Sequence, residues 1–281
     1  MTRRFQMIDV FGSGPVSGNP LAVVHDAEGL STDEMQAVTR WLNLSETTFL
    51  LPPTTREADY LVRIFTLVGE LPFAGHPTLG SCHAWLSTGA IAKRDDVVVQ
   101  ECGAGLIPLR KGDDLAFAAP PLLREGPVDD TYSAQVAAVI GVDRDEIVEI
   151  EWVDNGPGWV GVLLEDADAV LALKPDITRY EGESQINIGV VGPHQDHEDA
   201  AYEVRAFFSD DRGLLVEDPV TGSLNASIAQ WLLRTGRVTA PYTAAQGTAI
   251  GRKGRILIDQ DSDGTIWVGG STVTLVDGEI S

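Results

Sequence analysis

The chain is short of cysteine: Cys82 and Cys102 are the only two in 281 residues, and they lack Cys-x-x-Cys spacing. A disulfide framework is not expected in a chain of this size without a secretion signal, so reduced thiols are the expectation. No apolar run approaches the roughly 18 residues that span a bilayer. The stretch from Met1 to Asp9 carries Arg3 and Arg4 but no apolar core, so no signal peptide is read and a cytoplasmic location is expected. Neither G-x-x-x-x-G-K-[ST] nor G-x-S-x-G occurs, which leaves P-loop and hydrolase-elbow chemistry without support. Basic residues are also few. Sixteen Arg and four Lys, scattered along the chain, face 42 acidic residues, for a formal net charge of −22. That field repels phosphate backbones and anionic lipid, so neither a nucleic acid nor a membrane is an expected partner. The acidity fits a surface kept soluble at high salt, and equally a genome that favours Arg over Lys.

What is present is ordinary in composition and unusual in arrangement. Apolar residues make up 43% and charged residues 22%, as in a globular protein. The most informative feature is internal. Residues 62–81 (VRIFTLVGELPFAGHPTLGS) lie without a gap on residues 204–223 (VRAFFSDDRGLLVEDPVTGS) at an offset of 142. Val62, Arg63, Phe65, Pro77, Gly80 and Ser81 match Val204, Arg205, Phe207, Pro219, Gly222 and Ser223. The likeness continues in AWLSTG (84–89) against QWLLRTG (230–236), and the halves open alike, with β-rich runs around glycine-rich turns at 7–24 and 149–164. The period is far too long for a solenoid. Two similar domains are expected, at 1–120 and 128–281, with the last strands able to return to the first half.

Local signals fill in a mixed α+β pattern. Ser31-Thr-Asp-Glu34 is a capping box, and Met35, Val38 and Leu42 follow at helical spacing, which predicts a helix over 32–42. Strands are expected at 46–51 and 61–65, and near 97–101, 105–110 and 114–118. A linker is expected from Pro120 to Pro127, and a short helix over 134–140. Further strands are read near 147–153, 159–164 and 202–208, and the tail at 255–278 reads as a β-meander. Each half holds one prominent helix. His76-Pro77 predicts an N-cap and first helical residue for a helix to about 87, and Asp218-Pro219 does the same for a helix to about 233. One helix per half among hairpins argues α+β over a doubly wound sheet.

Several motifs carry bland readings. Gly156-Pro-Gly158-Trp-Val-Gly161 matches a dinucleotide fingerprint, but no helix follows it, so a hairpin turn is read. His194-Gln-Asp-His197 has metal-like spacing without companion ligands and is read as a solvated loop; no metal site is expected. Cys82 is read as a buried, inert thiol. Glu46, taken alone, is a surface carboxylate at the start of a strand. The two helix starts stand apart, because each presents N–H groups and a positive dipole end that suit an anion, with small Gly and Ser in the first turn leaving room for a ligand or the facing domain.

GNPLAVV (18–24), LSETTF (44–49), PFAGHPTLGS (72–81) and EDPVTGSLN (217–225), in that order and spacing, resemble the signatures of the PhzF-like family of phenazine-biosynthesis isomerases. The resemblance implies a diaminopimelate-epimerase-like fold of two pseudo-symmetric domains, each a bent sheet wrapped around a central helix, and commonly a homodimer. It also implies a cofactor-free isomerase of a small unsaturated or cyclic carboxylic acid, similar to dihydro-hydroxyanthranilate. In that family one glutamate takes a proton from one ring carbon and returns it to another, and Glu46 matches it. Such a carboxylate is base first and acid second, so a pKa lifted by a dry cleft is expected. His76 and Asp218 match the polar partners of the substrate, and Gly75 with Gly222 and Ser223 would bind its carboxylate. Loops such as 12–18 and 180–200 would choose the ligand. Related epimerases place a cysteine at each central-helix start, where this chain has Ala74-Gly75-His76 and Glu217-Asp218-Pro219. An amino-acid epimerase or racemase with non-cysteine bases, and a non-catalytic small-acid-binding protein, are the competing readings.

Overall fold

The computed structural model describes residues 2–182, 185–195, 199–210 and 212–281. It divides into one unit of Met1–Ala118 with Val268–Ser281 and a second of Ala119–Trp267. The first contains β1 (Arg3–Val10), β2 (Asn19–Val24), α1 (Thr32–Leu42), β3 (Glu46–Leu51), β4 (Tyr60–Thr66), β5 (Glu70–Leu71), α2 (Gly75–Ser87), β6 (Val97–Cys102), β7 (Gly105–Arg110) and β8 (Leu115–Ala118). The second contains β9 (Arg124–Pro127), α3 (Asp130–Ile140), β10 (Glu149–Asp154), β11 (Val160–Leu163), α4 (Ala167–Ala172), β12 (Asn187–Pro193), β13 (Tyr202–Ser209), β14 (Leu215–Asp218), α5 (Gly222–Arg234), β15 (Tyr242–Gln246) and β16 (Gly254–Gln260). The chain then runs through β17 (Ile266–Gly270) into β18 (Thr272–Ile280), which returns to the first unit and pairs along its length with β1.

The pairing pattern repeats. In the first unit β1–β2 is antiparallel, β2–β3 parallel, β3–β4 and β4–β5 antiparallel, β4–β6 parallel and β6–β7 antiparallel. In the second, β10–β11, β11–β12, β12–β13, β13–β14, β13–β15 and β15–β16 follow the same sequence of senses. The outermost partner differs only in origin. The last strand of the chain lies beside β1, whereas β9, from just before the second repeat, lies beside β10. The offset of 142 thus lays β4 on β13, each paired with three strands of its unit.

A central helix fills each unit. Nearly every residue of the first two turns of α2 is buried, and so is most of α5, as expected for helices enclosed by a sheet rather than laid on one. Close approach depends on glycine. A Cβ at Gly80 would stand 2.5 Å from Leu21 Cδ2, and one at Gly189 would stand 2.3 Å from Leu224 Cδ1. The core of the second unit gathers Val136, Ile140, Val160, Ile188, Val190 and Phe207. No helix among the described residues is long and apolar enough to cross a membrane.

The capping box at Ser31 and Glu34 forms, and α1 ends at Asn43 in the left-handed region (φ 55°). Other expectations need correction. His76 is not a cap: α2 starts at Gly75 behind Ala74, so Pro77 is its third residue, a first-turn position whose N–H has no helical acceptor. Asp218 is not a cap either. The proline after it favours extended backbone, and Asp218 closes β14 opposite Ala206, so α5 begins at Gly222 behind Thr221. The expected linker at 120–127 contains β9, and α3 starts four residues earlier than read because Asp129 accepts from the Tyr132 N–H. The span 180–200 is not all loop, since residues 187–193 form the buried β12.

Candidate active site

Glu46 opens β3, one residue beyond the short connection that follows α1, and pairs with Thr66. His76 is the second residue of α2. The two elements are tied together where Ser81 Oγ donates to Thr48 Oγ1 at 2.9 Å. The first turn of α2 is tied again from β6, where Gln100 Nε2 donates to Thr78 Oγ1 at 3.0 Å. These bonds bring His76 Nε2 to 3.5 Å from Glu46 Oε2, with the ring 4% and the carboxylate 16% exposed. Asn19 Nδ2 stands 3.4 Å from the other ring nitrogen, Nδ1. The 3.5 Å approach of His76 to Glu46 is a close contact rather than a hydrogen bond, so His76 Nε2 has no hydrogen-bond partner among the described residues. Asn19 is itself delivered by a gripped turn: Asp9 accepts from the N–H groups of Ser17 and Gly18, both at 2.9 Å. Gly18 is obligatory there, since a Cβ would lie 2.1 Å from the Val10 carbonyl oxygen.

Burial pushes the His76 imidazole down to about 3, so the ring is neutral at pH 7 and its contact with Glu46 is not an ion pair. His25 and His83 are lowered by burial as well. The unfolded chain takes up a proton on His76 below about pH 6.5, whereas the folded chain does so only near 3. The neutral ring's contribution to stability is therefore complete above the unfolded value and lost as pH falls through that window. Urea unfolding at about pH 7.5 and about pH 5 should show wild type losing roughly 2 kcal/mol more than His76→Gln between the two. Equal losses would contradict a buried neutral imidazole.

The second unit supplies Asp218, Gly222 and Ser223 at the head of α5. Asp218 Oδ2 accepts from Thr221 Oγ1 at 2.6 Å. Ser223 Oγ accepts from Trp159 Nε1 at 3.2 Å, and its carbonyl accepts from Asn155 Nδ2 at 2.9 Å. Asn155 and Trp159 belong to the β10–β11 turn, where Asp154 Oδ1 accepts from the N–H groups of Gly156 and Gly158. Each unit thus uses an aspartate near the end of a hairpin strand to hold the turn that follows it. The G-x-G-x-x-G match is that turn, with Gly156 and Gly158 at positive φ (142° and 88°), as a hairpin requires.

Glu46, Gly75 and His76 stand together in the first unit, and Asp218, Gly222 and Ser223 in the second. The expectation that Gly80 and Ser81 leave room for a ligand is corrected, because Leu21 covers Gly80 and Ser81 is bonded to Thr48. Cys82 is buried and its thiol is pushed up to about 12 by desolvation; the Cys102 thiol is raised for the same reason, so neither is a ready nucleophile. His194 contacts Glu203 at 3.2 Å, and His197 lies outside the described residues. Among the described residues no group of three His, Cys, Asp or Glu side chains could hold a metal. A hollow of about 380 Å³ lies against Gln230, Leu233 and Arg234. These are at the far end of α5, roughly 10 Å or more along the helix from Ser223, and away from this chemistry.

Residues 8–278 match the family described as Phenazine biosynthesis-like protein (PhzC-PhzF). The chain belongs to that family. It is 35% identical to the trans-2,3-dihydro-3-hydroxyanthranilate isomerase of Pseudomonas aeruginosa, over 90% of this chain and 88% of that one. It is 33% identical to antisense-enhancing sequence 1 of Schizosaccharomyces pombe, over 98% and 97%. Among solved structures, a PhzF-family phenazine biosynthesis protein from Enterococcus faecalis covers all of both chains, with a TM-score of 0.80 and 23% identity. A hydroxyproline epimerase from Agrobacterium vitis has a TM-score of 0.60 at 13% identity, over 99% of this chain and 92% of that one. The α+β fold is therefore the epimerase-like one, and the family's named isomerases place this chain among isomerases. Asn19, Thr221 and Gln246 were not singled out by sequence. Asn19 lies inside GNPLAVV, but nothing around Gln246 marks it.

Proposed function

We propose that the chain shifts a proton within a small unsaturated or cyclic carboxylic acid, similar to dihydro-hydroxyanthranilate, with Glu46 as the single acid/base. The 3.5 Å approach of Glu46 to a buried, neutral His76 carries the reading, since a neutral ring leaves the carboxylate its charge and basicity where a cation would take both. The Glu46 carboxylate removes a proton from one ring carbon. The electron pair moves through the conjugated double bonds, and the protonated Glu46 returns the proton to a second carbon. The enol formed then tautomerises to the ketone. Composition is unchanged and the step is redox-neutral. His76 and Asp218 hold the polar groups of the substrate. The first-turn N–H groups at Gly75, Gly222 and Ser223 suit its carboxylate.

The reaction class is tested by proton NMR in deuterated buffer. The substrates are trans-2,3-dihydro-3-hydroxyanthranilate and a small panel of cyclic acids and amino acids, at high and low salt. Isomerisation with deuterium entering a ring carbon is the expected result. Exchange at Cα of an amino acid with loss of optical rotation would replace this reading with epimerisation. Stabilisation by a compound recovered unchanged and unlabelled would replace it with binding alone.

A further inference from the structure

Gln246 ends β15 and is completely buried. Its amide makes four hydrogen bonds, three to the segment that leads into α5 and one to Asn225 in the helix's first turn. Oε1 accepts from the Thr221 backbone N–H at 3.0 Å and from Asn225 Nδ2 at 2.7 Å. Nε2 donates to the Asp218 carbonyl oxygen at 3.1 Å and to Thr221 Oγ1 at 3.0 Å. A backbone N–H only donates and a carbonyl only accepts, so the surroundings dictate which way this amide faces. Thr221 Oγ1 is then an acceptor toward Gln246, and its own proton goes to Asp218 Oδ2 at 2.6 Å. The bonds run in one direction, from Gln246 through Thr221 to the Asp218 carboxylate.

Thr221 is the N-cap of α5, yet its hydroxyl makes no cap bond to the helix. A threonine at that position ordinarily accepts from an N–H of the first turn. Here the side chain gives up that bond and turns back to Asp218. The first unit has no equivalent arrangement: its cap is Ala74, and Gln100 reaches Thr78 inside α2.

We propose that Gln246 is a positioning residue for the isomerisation, holding the Asp218 carboxylate by Oδ2 through the Thr221 hydroxyl. The proposal rests on the reading of Asp218 as a substrate-binding group. Gln246 and Thr221 supply a fixed donor, and Asp218 meets the substrate with its orientation already set.

The test uses the full chain in four forms: wild type, Thr221→Ser, Thr221→Val and Gln246→Glu. Thr221→Ser keeps the hydroxyl. Gln246→Glu keeps the accepting oxygen and removes both donated bonds. In the protein alone, the Asp218 carboxyl carbon is followed by ¹³C NMR against pH and assigned with Asp218→Asn. Its titration midpoint should rise by about one unit in Thr221→Val and stay in place in Thr221→Ser. With trans-2,3-dihydro-3-hydroxyanthranilate as probe, kcat/KM should fall about tenfold or more in Thr221→Val and Gln246→Glu. Thr221→Ser should stay within about threefold of wild type. A folded Thr221→Val with an unmoved Asp218 signal overturns the proposal, and so does unchanged kcat/KM beside a moved signal. If Gln246→Glu does not fold, the two Thr221 variants carry the test. If wild type does not turn over the probe, trans-2,3-dihydro-3-hydroxyanthranilate is not its substrate, while the Asp218 titration still decides whether the hydroxyl holds that carboxylate.

Discussion

Glu46→Gln should lower the rate of isomerisation by about 10²–10⁴-fold while leaving the fold and ligand affinity close to wild type. Gln has nearly the same shape and keeps an oxygen beside His76. It cannot take a proton from carbon, so a mechanism in which one carboxylate both removes and returns the proton loses both steps at once. His76 cannot substitute, because burial holds its ring far below the range in which an imidazole titrates near neutrality. Calorimetric affinity for the substrate or its product, measured beside turnover, separates the two effects. Weakened binding with an unchanged rate would give Glu46 a binding role only.

The second large effect is on stability and comes from a pair of residues related by the repeat. Arg205 on β13 is 6% exposed and makes a two-pronged ion pair with Glu217 on β14, at 2.9 and 2.7 Å. It also donates to the carbonyls of Val170 and Leu173 at the end of α4 and stacks over Phe207. Its repeat counterpart, Arg63, pairs with Glu70 on β5, reaches Thr32 on α1 and stacks over Phe65. The geometry is the same, but Arg63 and Glu70 are 25% and 38% exposed. Removing one member of a buried pair strands its partner, whereas water takes over at an exposed one. Arg205→Ala should therefore cost about 3–5 kcal/mol. Arg63→Ala should cost about 1 kcal/mol or less. Urea denaturation of both variants checks the contrast, and equal losses would contradict it.

The sequence made the repeat legible because its identities fall on residues with structural duties. Arg63 and Arg205 carry the ion pairs just described, and Phe65 and Phe207 lie beneath them. The capping box of α1 was equally plain, since all its bonds are local. The starts of the central helices were misread for one reason: a proline suggests a first helical residue, but contacts with other strands decide where the helix begins. At 218–221 those contacts come from Gln246, 25 residues away from Thr221. The elements α4 and β12 were not read. The first is six residues long, and the second is a short apolar run with no periodicity to separate it from a buried loop. Glu46 and His76 were legible only as members of a family pattern, because a glutamate at a strand start is ordinarily exposed. The 3.5 Å approach that gives the pair its meaning is a product of the fold.

The most direct test of the single-carboxylate shuttle follows the proton itself. Trans-2,3-dihydro-3-hydroxyanthranilate carrying deuterium at the carbon that loses its hydrogen is converted in ordinary water by wild type and by Glu46→Gln, and the product is read by NMR. One group acting as base and then acid should deliver part of that deuterium to the new carbon in wild type, and Glu46→Gln should form essentially no product. Product whose new hydrogen comes wholly from water, formed as fast by Glu46→Gln as by wild type, would contradict it.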